Sequence, residues 1–153
     1  MKLTLCGSIA FHDKMLEVKN QLEAAGHKVD LPPTVVKDEQ GNAILVKEYY
    51  ELRKSCGEDI SWIWDRKEEC MRDHFNKIER SDAVLILNYP KNDIENYIGT
   101  NTLLEMGLAF HLRKPIYLLF SVPELQSKEE ILGMKPISLN GRLDSLLSQV
   151  KVD

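Results

Sequence analysis

The chain has 153 residues, 43% of them hydrophobic and 29% charged. That is the size of one ordinary domain, able to bury about 70% of its unfolded surface without help from a disulfide or a metal. Twenty Lys and Arg stand against 24 Asp and Glu, a net charge of −4, which argues against a basic nucleic-acid-binding face as the main function. Eight Gly and six Pro are too few for a low-complexity chain, and no apolar run approaches the ~18 residues of a membrane span.

The three cysteines, Cys6, Cys56 and Cys70, form no Cys-x-x-Cys pair and have no His at zinc-ligand spacing. Reduced thiols are expected rather than a disulfide framework or a structural zinc. With no targeting signal, the expectation is a cytoplasmic protein in which residues 1–153 form a single domain.

Lys2 to Cys6 is a short apolar run ending at Gly7-Ser8, which predicts a buried strand and a turn. Phe11, Met15, Leu16, Val18, Leu22 and Ala25 recur at helical spacing, and Gly26 is a stop for that helix. His27 to Leu31 predicts a second strand, closed by Pro32-Pro33. Between Thr34 and Trp64 the pattern is irregular, with a turn signal at Asp38 to Asn42 and a short helix over Val46 to Leu52. Arg66 to Arg80 predicts a helix with Cys70, Met71, His74, Phe75 and Ile78 on one side. Ala83 to Leu87 is uninterrupted and apolar, as a central parallel strand covered on both faces requires.

A loop over Asn88 to Gly99 leads to a helix from Thr102 to Leu112. Ile116 to Phe120 and Ile137 to Leu139 predict two more strands, and Leu143 to Val150 a last helix. The alternation of strands and helices predicts an α/β fold, a five-stranded parallel sheet in the order 2-1-3-4-5 with helices on both faces. Its ligand site would lie at the carboxyl ends of the first and third strands, where the strand order reverses.

Two segments arrive at that place. Gly7-Ser8-Ile9 offers backbone N–H groups and a hydroxyl, suited to a phosphate or a ligand hydroxyl, and equally reads as an ordinary strand-to-helix turn. There is no Gly-x-Gly-x-x-Gly and no Gly-Lys-Ser/Thr, so dinucleotide and P-loop readings lack support. The third strand delivers Asn88 and Tyr89, then a loop carrying Tyr97, Gly99 and Asn101. Beyond it Glu105 is the only charge, His111 aside, in the apolar stretch Leu103 to Leu112. A lone carboxylate there needs compensation. One source is structural: Thr102 to Glu105 spells a capping box, with Thr102 as N-cap and Glu105 reaching back to its N–H. The other is functional: in the first turn of a helix the dipole favours an ionised carboxylate, which is what a nucleophile at an anomeric carbon needs.

Cys6-Gly7-Ser8-Ile9, Ser81-Asp82-Ala83-Val84 and the segment Gly99 to Ala109, with its Glu105-x-Gly107-x-Ala109, resemble the nucleoside 2-deoxyribosyltransferase superfamily, which includes 2′-deoxynucleoside 5′-phosphate N-hydrolases. The resemblance spans residue 2 to about residue 120. It implies a flavodoxin-like three-layer α/β/α sandwich and N-glycosidic bond cleavage or transfer on a nucleoside or nucleoside 5′-phosphate. It implies a retaining mechanism with Glu105 as the nucleophile at C1′. Asp73 or His74 would protonate or orient the leaving base, an unperturbed imidazole being suited to that role near neutral pH. Gly7, Ser8 and Ile9 would hold the sugar side, with Asn88, Tyr97, Gly99 and Asn101 as further substrate contacts. Trp62 and Trp64 are candidates for a lid, a core or an interface. The chemistry calls for no metal and no organic cofactor. The implied partners are a small nucleoside or nucleotide and further copies of the chain in a homo-oligomer. Ala10-Phe11-His12 follows the turn where the hydrolase branch has Arg-Gly-Gly. The competing reading is a non-catalytic nucleotide-binding module on the same fold, with Glu105 only capping its helix.

Overall fold

The computed structural model describes residues 1–148; the last residues of the helix expected over Leu143 to Val150 lie outside them. Pro32–Asn76 forms one compact unit, and the chain on either side of it forms the other.

The larger unit is built on a five-stranded, wholly parallel sheet of β1 (Lys2–Cys6), β2 (Lys28–Asp30), β5 (Ala83–Ile86), β6 (Ile116–Leu118) and β7 (Ile137–Ser138). The order is β2-β1-β5-β6-β7, the 2-1-3-4-5 order expected from the alternation. Every side chain of β5 is buried, in keeping with its uninterrupted apolar sequence at the centre of the sheet. A short 3-10 turn (Ile9–Phe11) and α1 (His12–Ala24) follow β1; α4 (Thr100–His111) follows β5. Helices α5 (Lys128–Gly133) and α6 (Asp144–Leu147) flank β7 in sequence.

The two sheet faces carry separate cores. Leu3, Leu5, Leu85 and Leu87 pack with Met15, Val18 and Leu22 of α1 and Leu146 of α6. Val84, Ile86 and Cys6 pack with Met106 and Ala109 of α4, Ile131 of α5 and Ile78. Alternation along β1 and β5 thus sends successive side chains to opposite helix layers, the three-layer arrangement expected.

Helix ends follow their local chemistry. Gly26, at φ 91°, closes α1: its own N–H bonds the carbonyl of Glu23, and the His27 N–H bonds that of Leu22. This is the αL termination that glycine permits. Arg113, at φ 58°, ends α4 in the same way, with the Lys114 N–H on the carbonyl of Ala109.

The smaller unit holds a feature not expected from the sequence. Val35–Lys37 (β3) and Ala43–Leu45 (β4) pair antiparallel across the turn signalled at Asp38 to Asn42. The Asp38 carboxylate accepts from the N–H groups of Gln40 and Asn42, and Gly41 supplies a φ of 84°. These strands were missed because at three residues each they are too short to show alternation. α2 (Val46–Ser55) and α3 (Ser61–Glu79) follow; α3 starts five residues before the expected Arg66. Tyr49, Ile63 and Val36 are the buried centre, with Trp62 half-buried against it and Trp64 exposed. Trp62 meets Tyr49 at a ring separation of 6.4 Å and so contributes to this core.

Candidate active site

β1 and β5 are neighbours whose helices leave on opposite faces, so a crevice opens beyond their carboxyl ends. Gly7 turns the chain there. A Cβ on Gly7 would stand 2.9 Å from the carbonyl oxygen of Leu87 and 2.9 Å from the terminal carbon of Met15. The methionine could move; the carbonyl belongs to the residue directly after β5, whose N–H is bonded to the Cys6 carbonyl, and could not. Ser8 follows as the cap of the 3-10 turn, its hydroxyl accepting from the Ala10 N–H at 3.3 Å. Ile9 begins the turn.

From β5 the chain enters the loop 88–99. Asn88 is fully buried. Its side-chain oxygen accepts from the Phe120 N–H at 2.9 Å, and its amide donates to the Ser121 carbonyl at 3.0 Å. The side chain therefore ties this loop to the one after β6. Lys91 and Ile94 exchange two backbone hydrogen bonds around Asn92 and Asp93, both at positive φ. That is the two-residue primed hairpin turn favoured by Asn and Asp. Asn96, also at positive φ, bonds the Ser121 hydroxyl. The Tyr97 N–H closes the loop on the carbonyl of Tyr89. Tyr97 lies against the start of α4, its hydroxyl 3.2 Å from where a Gly99 Cβ would be.

Glu105 is buried, at 4% exposure, and projects from the second turn of α4. The expected capping box is not formed. Gly99, in an extended conformation, is the N-cap, so the helix begins two residues earlier than expected and Thr102 lies inside it. Gly99 offers no side chain to mark the start, and Thr102 supplied a false signal. The helix dipole fades beyond the first turn, and Glu105 is held instead by side chains. Asn101 donates to its Oε1 at 3.0 Å. Cys6 Sγ, at the end of β1, lies within 4.8 Å of a Glu105 carboxylate oxygen. Burial raises the Cys6 thiol well above its ordinary pKa, and the charge of Glu105 and a hydrogen bond to its carboxylate raise it further. The thiol therefore stays protonated and donates. The sequence placed Cys6 among ordinary buried cysteines; its carboxylate partner, 99 positions away, left no local signal.

Lys91 was also not singled out. Its ammonium donates to the Ser8 hydroxyl at 2.8 Å and lies 5.2 Å from the centre of the Tyr97 ring. The larger unit thus brings together Gly7, Ser8, Tyr97, Gly99, Asn101 and Glu105 of the expected residues, and adds Cys6 and Lys91.

Asp73 and His74 lie on α3 in the smaller unit, His74 buried and Asp73 exposed. Asp73 borders an open groove of about 580 Å³ whose lining includes Val35, Lys37, Arg66, Glu69 and Cys70. Arg66 braces that groove, donating to the Lys37 carbonyl and to Glu69. Among the described residues no helix is long and apolar enough to cross a membrane.

No protein-family profile and no curated protein matches the chain. Solved structures do. A CMP N-glycosidase, BcmB, from Clostridium botulinum superposes with a TM-score of 0.50 at 17% identity, covering 97% of each chain. The fold is shared. A conserved protein from Enterococcus faecalis V583 gives 0.50 at 16% identity, over 97% of this chain and 96% of that one. A 2-deoxyribosyltransferase from Bacillus psychrosaccharolyticus gives 0.48 at 16% identity, over 90% of this chain and 98% of that one.

Proposed function

We propose that the protein cleaves or transfers the N-glycosidic bond of a nucleoside or nucleoside 5′-phosphate, with Glu105 as nucleophile. The observation that carries this reading is the buried Glu105 carboxylate at the end of β1, held between the Asn101 amide and the Cys6 thiol. A buried carboxylate accepting two hydrogen bonds is positioned and kept available as a nucleophile. That one solved chain of this fold is a CMP N-glycosidase supports the reaction class.

In the proposed reaction a Glu105 oxygen attacks C1′, and the bond from C1′ to the base breaks. The base leaves with the bonding pair and takes up a proton; the sugar remains as an ester on Glu105. Water then attacks C1′, loses a proton and frees the carboxylate. Two inversions give net retention. Transfer follows if a second base replaces water; the Cys6-Gly7-Ser8-Ile9 turn favours water. Asp73 and His74 are the proposed sources of the proton, from their chemistry and the sequence resemblance. Gly7, Ser8 and Ile9 are proposed to face the sugar, with Tyr97, Gly99 and Asn101 beside it. Asn88 acts by fixing the loop that carries Tyr97. A homo-oligomer is part of this reading, checked by light scattering.

The test is a panel of nucleosides and nucleotides assayed for free base, with Glu105→Ala beside the wild type. Base release that the substitution abolishes supports the reading. No release from any substrate favours a nucleotide-binding module, and release that survives undiminished removes Glu105 from the chemistry.

A further inference from the structure

The hairpin of the smaller unit leaves one strand edge open. The Val46 N–H donates to the Thr34 carbonyl at 3.0 Å, and the Asp38 N–H to that of Asn42 at 2.8 Å. Val36 and Ile44 lie between these pairs in register, so the hydrogen-bonded positions of β3 are 34, 36 and 38. The backbone groups of Val35 and Lys37 therefore point away from β4. Arg66 Nε donates to the Lys37 carbonyl at 2.8 Å, so this outer edge runs along α3. The Val35 N–H, the Val35 carbonyl and the Lys37 N–H meet no partner among the described residues. A bare edge of this kind is a template for another extended chain.

The groove beside this edge, about 580 Å³, is lined within the smaller unit alone. Pro33, Val35 and Cys70 give it an apolar middle, and charge is divided along its length. At one end Arg66 is neutralised by Glu69 at 3.0 Å, which leaves Lys37 as the cation there. Asp73 borders the groove two turns beyond Arg66 on α3, roughly 10 Å away at the rise of a helix. Three residues of strand span about the same distance. The two charges also stand on different sides of the edge. Lys37 is on the exposed face of β3, opposite to buried Val36, whereas Val36 packs with Ile63 of the helix that carries Asp73. Side chains three positions apart on a strand point to opposite faces, as that arrangement requires.

We propose that the outer edge of β3 binds an extended peptide of a partner protein, added antiparallel, with an acidic residue at Lys37 and a basic residue three positions later at Asp73. Val35 offers both bonds of an antiparallel pair, its N–H as donor and its carbonyl as acceptor, and the Lys37 N–H adds a third. The Lys37 carbonyl, held by Arg66, is not needed. An apolar side chain between the two charges rests against Val35 and Cys70. Backbone bonds supply affinity, and the divided charge selects sequence and direction. The proposal does not depend on chemistry at Glu105.

The test titrates the full chain into a fluorescein-labelled peptide, Ser-Asp-Val-Thr-Lys-Ser, and into its charge-exchanged form, Ser-Lys-Val-Thr-Asp-Ser, read by anisotropy. The first should bind at least tenfold more tightly than the second. Lys37→Glu should weaken it at least tenfold. Val35→Pro removes an outward N–H and no bond of the hairpin, a change that edge strands tolerate, and should weaken it as much. Thermal melting confirms that both variants are folded. A second readout needs no variant: amide hydrogen exchange at Val35 and Lys37 in the wild type should slow at least tenfold when the peptide saturates. No binding at millimolar peptide, equal binding of the charge-exchanged form, or unchanged exchange at both amides would overturn the proposal. So would amides already protected without peptide in a species whose mass rises with concentration, since a second copy would then occupy the edge.

Discussion

The Asn101 amide donates to the Glu105 carboxylate at 3.0 Å, from one turn earlier on α4. The bond does the work that a helix-start dipole would otherwise do, since Glu105 lies beyond the turn where that dipole acts. Asn101 is exposed and its removal leaves no cavity. Asn101→Ala should nevertheless cost about 1–3 kcal/mol, because it leaves the buried Glu105 carboxylate short of a hydrogen-bond donor, and it leaves the carboxylate less well positioned. The expected result is a fall in kcat of about tenfold or more, corresponding to about 1.4 kcal/mol of transition-state stabilisation, measured under conditions where thermal melting shows the variant still folded.

The Cys6 thiol gives a stability profile with a definite sign. Burial, then the charge and hydrogen bond of Glu105, raise its pKa in the folded protein. The unfolded chain loses that proton at an ordinary thiol pKa of about 8.5, while the folded protein keeps it. Above that pH the unfolded state binds fewer protons, so stability present below it is lost as pH rises. Urea titrations from pH 7 to 10 should show falling stability, and Cys6→Ala should flatten part of the slope. Cys70, also raised by burial, contributes in the same direction and accounts for part of what is left.

Thiol reactivity should follow the same order. Cys56 and Cys70 are half-buried, whereas Cys6 is fully buried and held as the thiol. At pH 8 a disulfide reagent should titrate Cys56 and Cys70 in the native protein, and Cys6 only after denaturant is added. Rapid reaction at Cys6 in the native state would contradict its assignment as a buried donor.

Gly7 tests the close approach at the β1 turn. In Gly7→Ala the new methyl meets the Leu87 carbonyl at 2.9 Å. Overpacking of this kind costs about 1–3 kcal/mol, and the displacement falls on the residues that hold Glu105 and Lys91. Denaturant unfolding should show the loss.

The sheet was legible in the sequence because its central strands are uninterrupted apolar runs and its helices have clear period. Ala83 to Leu87 and the spacing of Met15, Val18 and Leu22 left little freedom. The hairpin of the smaller unit was not legible, because strands of three residues carry no readable alternation. The start of α4 was misread because Gly99 caps it without a side-chain signal, whereas Thr102 resembles a cap and is not one. Glu105 stood out because a charge in an apolar helix demands an explanation. Cys6 and Lys91 did not, since a buried thiol and a loop lysine are ordinary until their distant partners, Glu105 and Ser8, are seen beside them.

The most direct measurement is mass spectrometry of the protein treated with slow 2-fluoro sugar nucleosides and nucleotides. The covalent intermediate should accumulate as a sugar adduct, and fragmentation of the peptide Asn92–Arg113 should place it on Glu105. An adduct on any other residue, or base release with Glu105 intact and no retained configuration in the product, would contradict the central claim.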